Sequence, residues 1–414
     1  MDPGMNVSTP LDRAGRLDRL NALLAEILPA NRFQAARLGP KRRLDGPADF
    51  LALPLLTKGD LAADGAANPP FGTNLTRPLE AYTRYHQTSG TTGAPLRVLD
   101  TPESWDWWGR CWGAVLRAAG VTAKDRLFFA FSFAPSIGFW SAFHGATMLG
   151  ALCIPSGGAS SRQRLRMLID SGATVLLSTP SYALHLAEEA RKEKIPIRPS
   201  TVRALIPAGE PGGSIPATRR RLEEAWGASV LDHAGATEVG AWGIGCPKGR
   251  GLYVNEDEFV AEVLDPATLQ PASSGELVLT NLGRGAWPVL RYRTGDLVKA
   301  VRETRPDGTS ALLLEGGILG RADDMVTIRG MNVYPSTIEE LVRSVPGTGE
   351  FRLVARRPAE LDELSLEVEG DPAACDALRR RVEDAFGVRI ELRPAAPGSL
   401  PRSEGKAKRF IDER

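Results

Sequence analysis

Residues 127–161 read LFFAFSFAPSIGFWSAFHGATMLGALCIPSGGASS, without a single Asp, Glu, Lys or Arg. The length would suit a bilayer span. Pro135, Gly138, His144, Gly145 and the many serines, however, divide it into strand, loop, helix and strand. A buried β-α-β unit is expected rather than a membrane segment. The pattern continues on both sides. RLFFAFSF, ALCIP, TVLLSTP, VRALIPA and SVLDHAG are short apolar runs that end in turn residues, as strands covered on both faces should be. SSRQRLRMLIDSG and PATRRRLEEAWG lie between them with helical periodicity. The region from about Trp105 to Glu238 therefore predicts a doubly wound α/β domain.

The remainder is organised around that core. One amphipathic helix is expected near Leu11 to Leu28. From about Gly251 to Leu319 the chain turns to short strands and Gly/Pro turns, such as GELVLTNL and VLRYRTGDLVKAV, which predicts a β-rich layer. A third block follows GILGRADD in the order β-α-β-β-α-β, which suggests a small ferredoxin-like α+β domain. The division expected is 1–320 and 321–414.

Of the 414 residues 43% are hydrophobic, and the net charge is +1. That supports a large core and argues against nucleic acid or an anionic membrane as partner. Cys111, Cys153, Cys246 and Cys375 are far apart, and the N-terminus lacks an apolar signal core. Reduced thiols and a cytoplasmic location are expected.

The chemistry is signalled by YHQTSGTTGAP at residues 85–95. Thr88 to Gly93 bring backbone N–H groups and hydroxyls with almost no side-chain bulk, a composition suited to wrapping phosphate oxygens. A Walker loop is excluded by the missing Lys. YHQTSGTTGAPLRV, IPAGEPGG, DHAGATEVG, RYRTGDL, GRADDMVTIRGMNVYPSTIEE and LPRSEGKAKRFIDER follow one another in the order found in adenylate-forming acyl ligases. The chain most resembles the phenylacetate–CoA ligases, from about Leu51 to the C-terminus.

The resemblance implies that a carboxylic acid and ATP give an acyl-adenylate and pyrophosphate, after which coenzyme A displaces AMP. It assigns Ser89, Gly90, Thr91, Thr92 and Gly93 to the phosphates, Thr237 to the α-phosphate and Glu238 to Mg²⁺, a hard ion suited to a carboxylate. Gly209, Glu210 and Pro211 would lie along the adenine, with Asp232 in the nucleotide set. Asp296 would accept the ribose hydroxyls beside Arg321. Lys406 would bridge the acid carboxylate and the α-phosphate. Asp323 would be the hinge of a rotating C-terminal domain, and the edge near Arg329 and Gly330 would approach the thiol. Phe131, Ser136, Phe139, Ala142, His144, Gly145, Ala234 and Gly235 would surround a small aromatic acid.

The family pattern is broken in three places. Ala94 stands where a Lys is usual, and Ala234 where an aromatic is common. Cys246 is alone, with Tyr253 at an expected His, so no zinc is expected. The acceptor stays open between coenzyme A and an amine, hydroxyl or carrier-protein thiol. A catalytically silent nucleotide-binding protein is the alternative from another class, and a homodimer is neither required nor excluded.

Overall fold

The computed structural model describes residues 11, 14–39, 43–88, 95–133, 137–198, 201–304, 308–322, 326–328, 331–333, 335–357, 363–386, 390–402 and 409–413. Ser89, Gly90, Thr91, Thr92, Gly93, Ala94, Ser136, Asp323, Arg329, Gly330 and Lys406 lie outside the described residues.

The uncharged stretch folds as strand Arg126–Phe129, helix Gly138–Met148 and strand Leu152–Pro155. These two strands are parallel neighbours in a five-stranded parallel sheet that continues through Val175–Ser178, Ala204–Pro207 and Ser229–Val230. Alternation along each strand divides the apolar residues between two cores. Leu127, Phe129, Val175, Leu177, Ala204 and Ile206 face one side, with helices Pro102–Ala118 and Gly138–Met148. Phe128, Leu176, Leu205 and Val230 face the other, with helices Ser161–Asp170, Pro180–Lys192 and Pro216–Trp226. Burial on both faces is why the strands read as continuous apolar runs. No helix among the described residues is long and apolar enough to cross a membrane.

The expected strand SVLDHAG is divided. Ser229–Val230 closes the parallel sheet, whereas His233–Ala236 begins a second, eight-stranded sheet. Asp232 sits at the break. Its backbone is packed so closely on Gly245 that a Cβ there would lie 2.6 Å from the Asp232 nitrogen and oxygen. The second sheet contains Gly240–Gly245, Gly251–Val254, Phe259–Leu264, Ser274–Asn281, Tyr292–Thr304 and Ser310–Glu315. Helix Arg16–Ile27 lays Leu20, Leu23, Leu24 and Ile27 against Val260, Leu282 and Leu290.

The C-terminal residues have a core of their own, which includes Val333, Ile338, Val342, Leu353, Leu366, Leu378 and Phe386. One strand is placed differently from the expected order. Val326–Ile328 pairs with Met331–Val333 as a separate hairpin, and Phe410–Asp412 joins Phe351–Arg356 in parallel at the edge of the four-stranded sheet.

Candidate active site

The two strands that flank the expected phosphate loop are antiparallel partners. Arg84–Gln87 and Arg97–Asp100 pair antiparallel, and Thr88 closes the ladder by donating N–H to the Leu96 carbonyl at 3.0 Å and accepting the Leu96 N–H on Oγ1 at 3.0 Å. The base of the hairpin is fixed by charge. Asp100 accepts from Arg284 Nε at 2.8 Å and Nη2 at 2.6 Å, and Arg284 Nη1 donates to the Thr237 carbonyl at 2.8 Å. The guanidinium also lies over the rings of Trp108 and Trp287. A buried cation with all three guanidinium nitrogens hydrogen-bonded thus joins strand Arg97–Asp100 to the turn that carries Thr237 and Glu238.

Thr237 and Glu238 occupy the turn between strands His233–Ala236 and Gly240–Gly245. Glu238 is buried and accepts the Tyr292 hydroxyl proton on Oε1 at 2.7 Å. Among the described residues no hydrogen bond or ion pair engages its other oxygen. Burial, and then the Glu238 charge, hold Tyr292 far above the usual phenol range, so it stays a donor. Arg321 and Asp296 also act on that phenol, which places all four groups in one neighbourhood. Asp296 and Arg321 are register partners, with Arg321 Nη1 3.2 Å from Asp296 Oδ1 and 2.9 Å from the Thr294 carbonyl. Gly295 permits this approach. It has φ +76°, and a Cβ would sit 2.7 Å from Arg321 Nη2.

Gly209, Glu210 and Pro211 form a bend after strand Ala204–Pro207, and Glu210 Oε1 accepts the Ser181 N–H at 2.8 Å. Asp232 braces the end of this loop, taking the Ser214 hydroxyl at 2.5 Å and the His233 N–H at 3.0 Å. Both its oxygens accept hydrogen bonds from within the protein. Burial pushes Asp232 up to about 6 against the opposing Ser214 bond, and lowers His233 to about 4.

Of the expected acid-pocket residues, Phe131 and Phe139 are buried ring to ring, with centroids 4.2 Å apart, and Ala142 is buried beside them in the same core. His144 faces helix Pro102–Ala118, with Nε2 2.9 Å from Asp106 Oδ1. Gly145 marks the crossing of the two helices, since a Cβ would lie 2.7 Å from Trp112 Cβ. Ala234 is buried opposite Gly243, and Gly235 is exposed at a bulge in that pairing. The Trp112 and His233 ring centroids lie 4.0 Å apart.

Arg402 and Arg409 are each held by carboxylates of the C-terminal unit. Arg402 pairs with Glu369 at 2.7 and 2.8 Å, and Arg409 pairs with Glu350 at 2.5 Å and Glu339 at 3.3 Å. Arg409 also feels the charge of Glu210, so the C-terminal unit rests beside the proposed adenine loop.

Comparison with known proteins places this arrangement. The chain is 32% identical over 443 residues to the phenylacetate–coenzyme A ligase of Escherichia coli strain K12, covering 99% of each. The chain belongs to the phenylacetate–coenzyme A ligase family of adenylate-forming ligases. Residues 330–414 match the AMP-binding enzyme C-terminal domain. Among solved structures, 2-hydroxyisobutyryl-CoA ligase in its postadenylation state with R3-HIB-AMP superposes with TM-score 0.90 at 32% identity, covering 96% of this chain and 89% of that one. The same ligase with 2-HIB-AMP and CoA in its thioesterification state gives 0.72 at 33% identity and the same coverage.

Cys246 and Tyr253 lie beside an ion pair. The Cys246 thiol approaches Tyr253 Oη at 3.7 Å, Tyr253 donates to Glu303, and Arg250 Nη2 binds Glu303 at 2.6 and 2.8 Å. One thiol beside a phenol and an ion pair does not fit a four-coordinate zinc, and no cluster of three metal-ligating side chains occurs among the described residues. Sequence reading missed Asp100, Arg284 and Tyr292 as site residues. A signal existed for Arg284, a lone charge within NLGRGAWPVL.

Proposed function

We propose that the chain activates a small aromatic carboxylic acid with ATP and passes the acyl group to coenzyme A. In the first step the acid carboxylate attacks the α-phosphorus, the bond to the bridging oxygen breaks, and pyrophosphate leaves with the electron pair. In the second the coenzyme A thiolate attacks the acyl carbon and AMP departs. The observation that carries this reading is the grouping of Glu238, Asp296 and Arg321 around the Tyr292 phenol, with Glu238 on a turn tied through Arg284 to strand Arg97–Asp100.

In this reading Ser89 to Gly93 and Thr237 bind the phosphates, Asp296 and Arg321 the ribose, and Gly209 to Pro211 the adenine. Lys406 sets the carboxylate against the α-phosphate. Phe131, Phe139 and Ala142 supply apolar walls for an aromatic ring. The buried Glu238 keeps one carboxylate oxygen outside the described bonds, which suits Mg²⁺, an ion that would neutralise phosphoryl charge when bound. The proposed units are 1–320 and 321–414, hinged at Asp323.

The test is acid-dependent pyrophosphate release with ATP and a panel of benzoic and phenylacetic acids, followed by AMP release on adding coenzyme A. Release in both steps is expected. Pyrophosphate without coenzyme A-dependent AMP would move the acceptor to an amine, hydroxyl or carrier thiol. A silent panel would sink the catalytic reading.

A further inference from the structure

Helix Pro216–Trp226, beside the parallel sheet, meets helix Pro335–Ser344 of the C-terminal unit. Arg221 reaches across. Its Nη1 donates to the Thr348 carbonyl at 2.8 Å, and its Nη2 to the Val345 carbonyl and Thr348 Oγ1, each at 2.8 Å. These acceptors lie just past the end of helix Pro335–Ser344, where carbonyls lack helical partners and the helix dipole favours a cation. In the opposite direction Glu340 Oε2 accepts the Ala217 N–H at 2.8 Å. That amide is in the first turn of helix Pro216–Trp226, where N–H groups are unpaired and an anion is favoured. Each helix therefore caps the other. A third link, from Thr218 Oγ1 to Glu339 Oε1 at 3.4 Å, continues through Glu339 to Arg409, the residue that follows segment 403–408.

Glu339–Arg409 lies within the C-terminal unit, whereas the contacts of Arg221, Ala217 and Thr218 join that unit to the rest of the chain. They exist in one domain arrangement, and their free energy biases the equilibrium toward it. That arrangement is nearer to the postadenylation state than to the thioesterification state of the related ligase. We propose that Arg221 and Glu340 are positioning residues that latch the C-terminal unit in the adenylation arrangement and oppose its rotation to the thioester-forming one. The proposal rests on the two-step reading above.

The full chain carrying Arg221→Ala, Arg221→Lys or Glu340→Ala tests this. Loss of hydrogen bonds to a charged group should lower the latched population about tenfold. Acid-dependent pyrophosphate release should slow accordingly in Arg221→Ala, whereas thioester formation from adenylate accumulated in a single turnover should hold or quicken. Arg221→Lys, which keeps the charge without the guanidinium fork, should fall between. Hydrogen exchange should accelerate in residues 216–222 and 335–348 and stay unchanged in strand Val175–Ser178. A parallel fall in both half-reactions, or unchanged exchange at the two helices, overturns the latch. Should wild type release no pyrophosphate, the two-step reading fails, and the exchange result still decides whether the contact holds the units together. If Arg221→Ala does not fold, Glu340→Ala carries both measurements.

Discussion

The Arg284 guanidinium and the Asp100 carboxylate meet at 2.6 and 2.8 Å with neither side chain exposed. They are 184 residues apart and bring strand Arg97–Asp100 to the Thr237 turn. Arg284→Met would strand a buried carboxylate, at about 3–5 kcal/mol of stability. Urea unfolding at neutral pH should show that loss. Asp100→Asn/Arg284→Met should recover part of it, because the double variant leaves no unpaired buried charge. A single variant as stable as wild type would show that the pair does not hold the hairpin.

Tyr292→Phe keeps the ring and deletes the donor that orients Glu238. The bond to a charged acceptor is worth about 1.5–3 kcal/mol. Pyrophosphate release should fall about tenfold and require more Mg²⁺, since Glu238 would no longer be held on one side. Titrating Mg²⁺ against rate for both proteins checks this. An unaltered Mg²⁺ requirement would detach Tyr292 from the metal's carboxylate.

Lys406→Ala should slow adenylation by about 10²–10³-fold, the scale for removing one transition-state donor. The thioester step from preformed adenylate should be little affected, because the proposed rotation carries the lysine away beforehand. Equal losses in both steps would assign Lys406 to binding throughout the cycle.

His233 gives a pH signature. Its Nδ1 donates to the Gly243 carbonyl at 2.8 Å, and burial lowers its folded pKa to about 4. With an unfolded value of about 6.5, its contribution is present in full above that pH and lost as pH falls through about 4, a change of about 3 kcal/mol. Asp232 acts in the opposite sense: raised to about 6, it contributes below its unfolded value and loses that contribution as pH rises through about 6. The difference in unfolding free energy between wild type and His233→Gln should therefore shrink from pH 7 to pH 4. A constant difference would mean that His233 does not titrate as described.

The parallel sheet was legible because Phe128 and Phe129, or Leu176 and Leu177, must both be apolar when opposite faces are buried. The break at Asp232 was not, since nothing local in SVLDHAG distinguishes a strand that continues from one that changes sheet. The contacts that decide it come from Ser214 and Gly245. Glu238, Asp296 and Arg321 were expected from motifs, and the structure brings them near one another. Asp100 with Arg284, and Arg221 with Thr348, are tertiary pairs across long sequence separations, which periodicity cannot encode.

The two arginine anchors around residues 403–408 bear on timing. With Arg402 tied to Glu369 and Arg409 to Glu350, residues 402 and 409 both belong to the same small sheet unit. Under the proposed function, Lys406 would reach the phosphate and leave it only as the whole unit rotates. Anything that slows that rotation would then delay turnover as surely as damage to the ammonium itself.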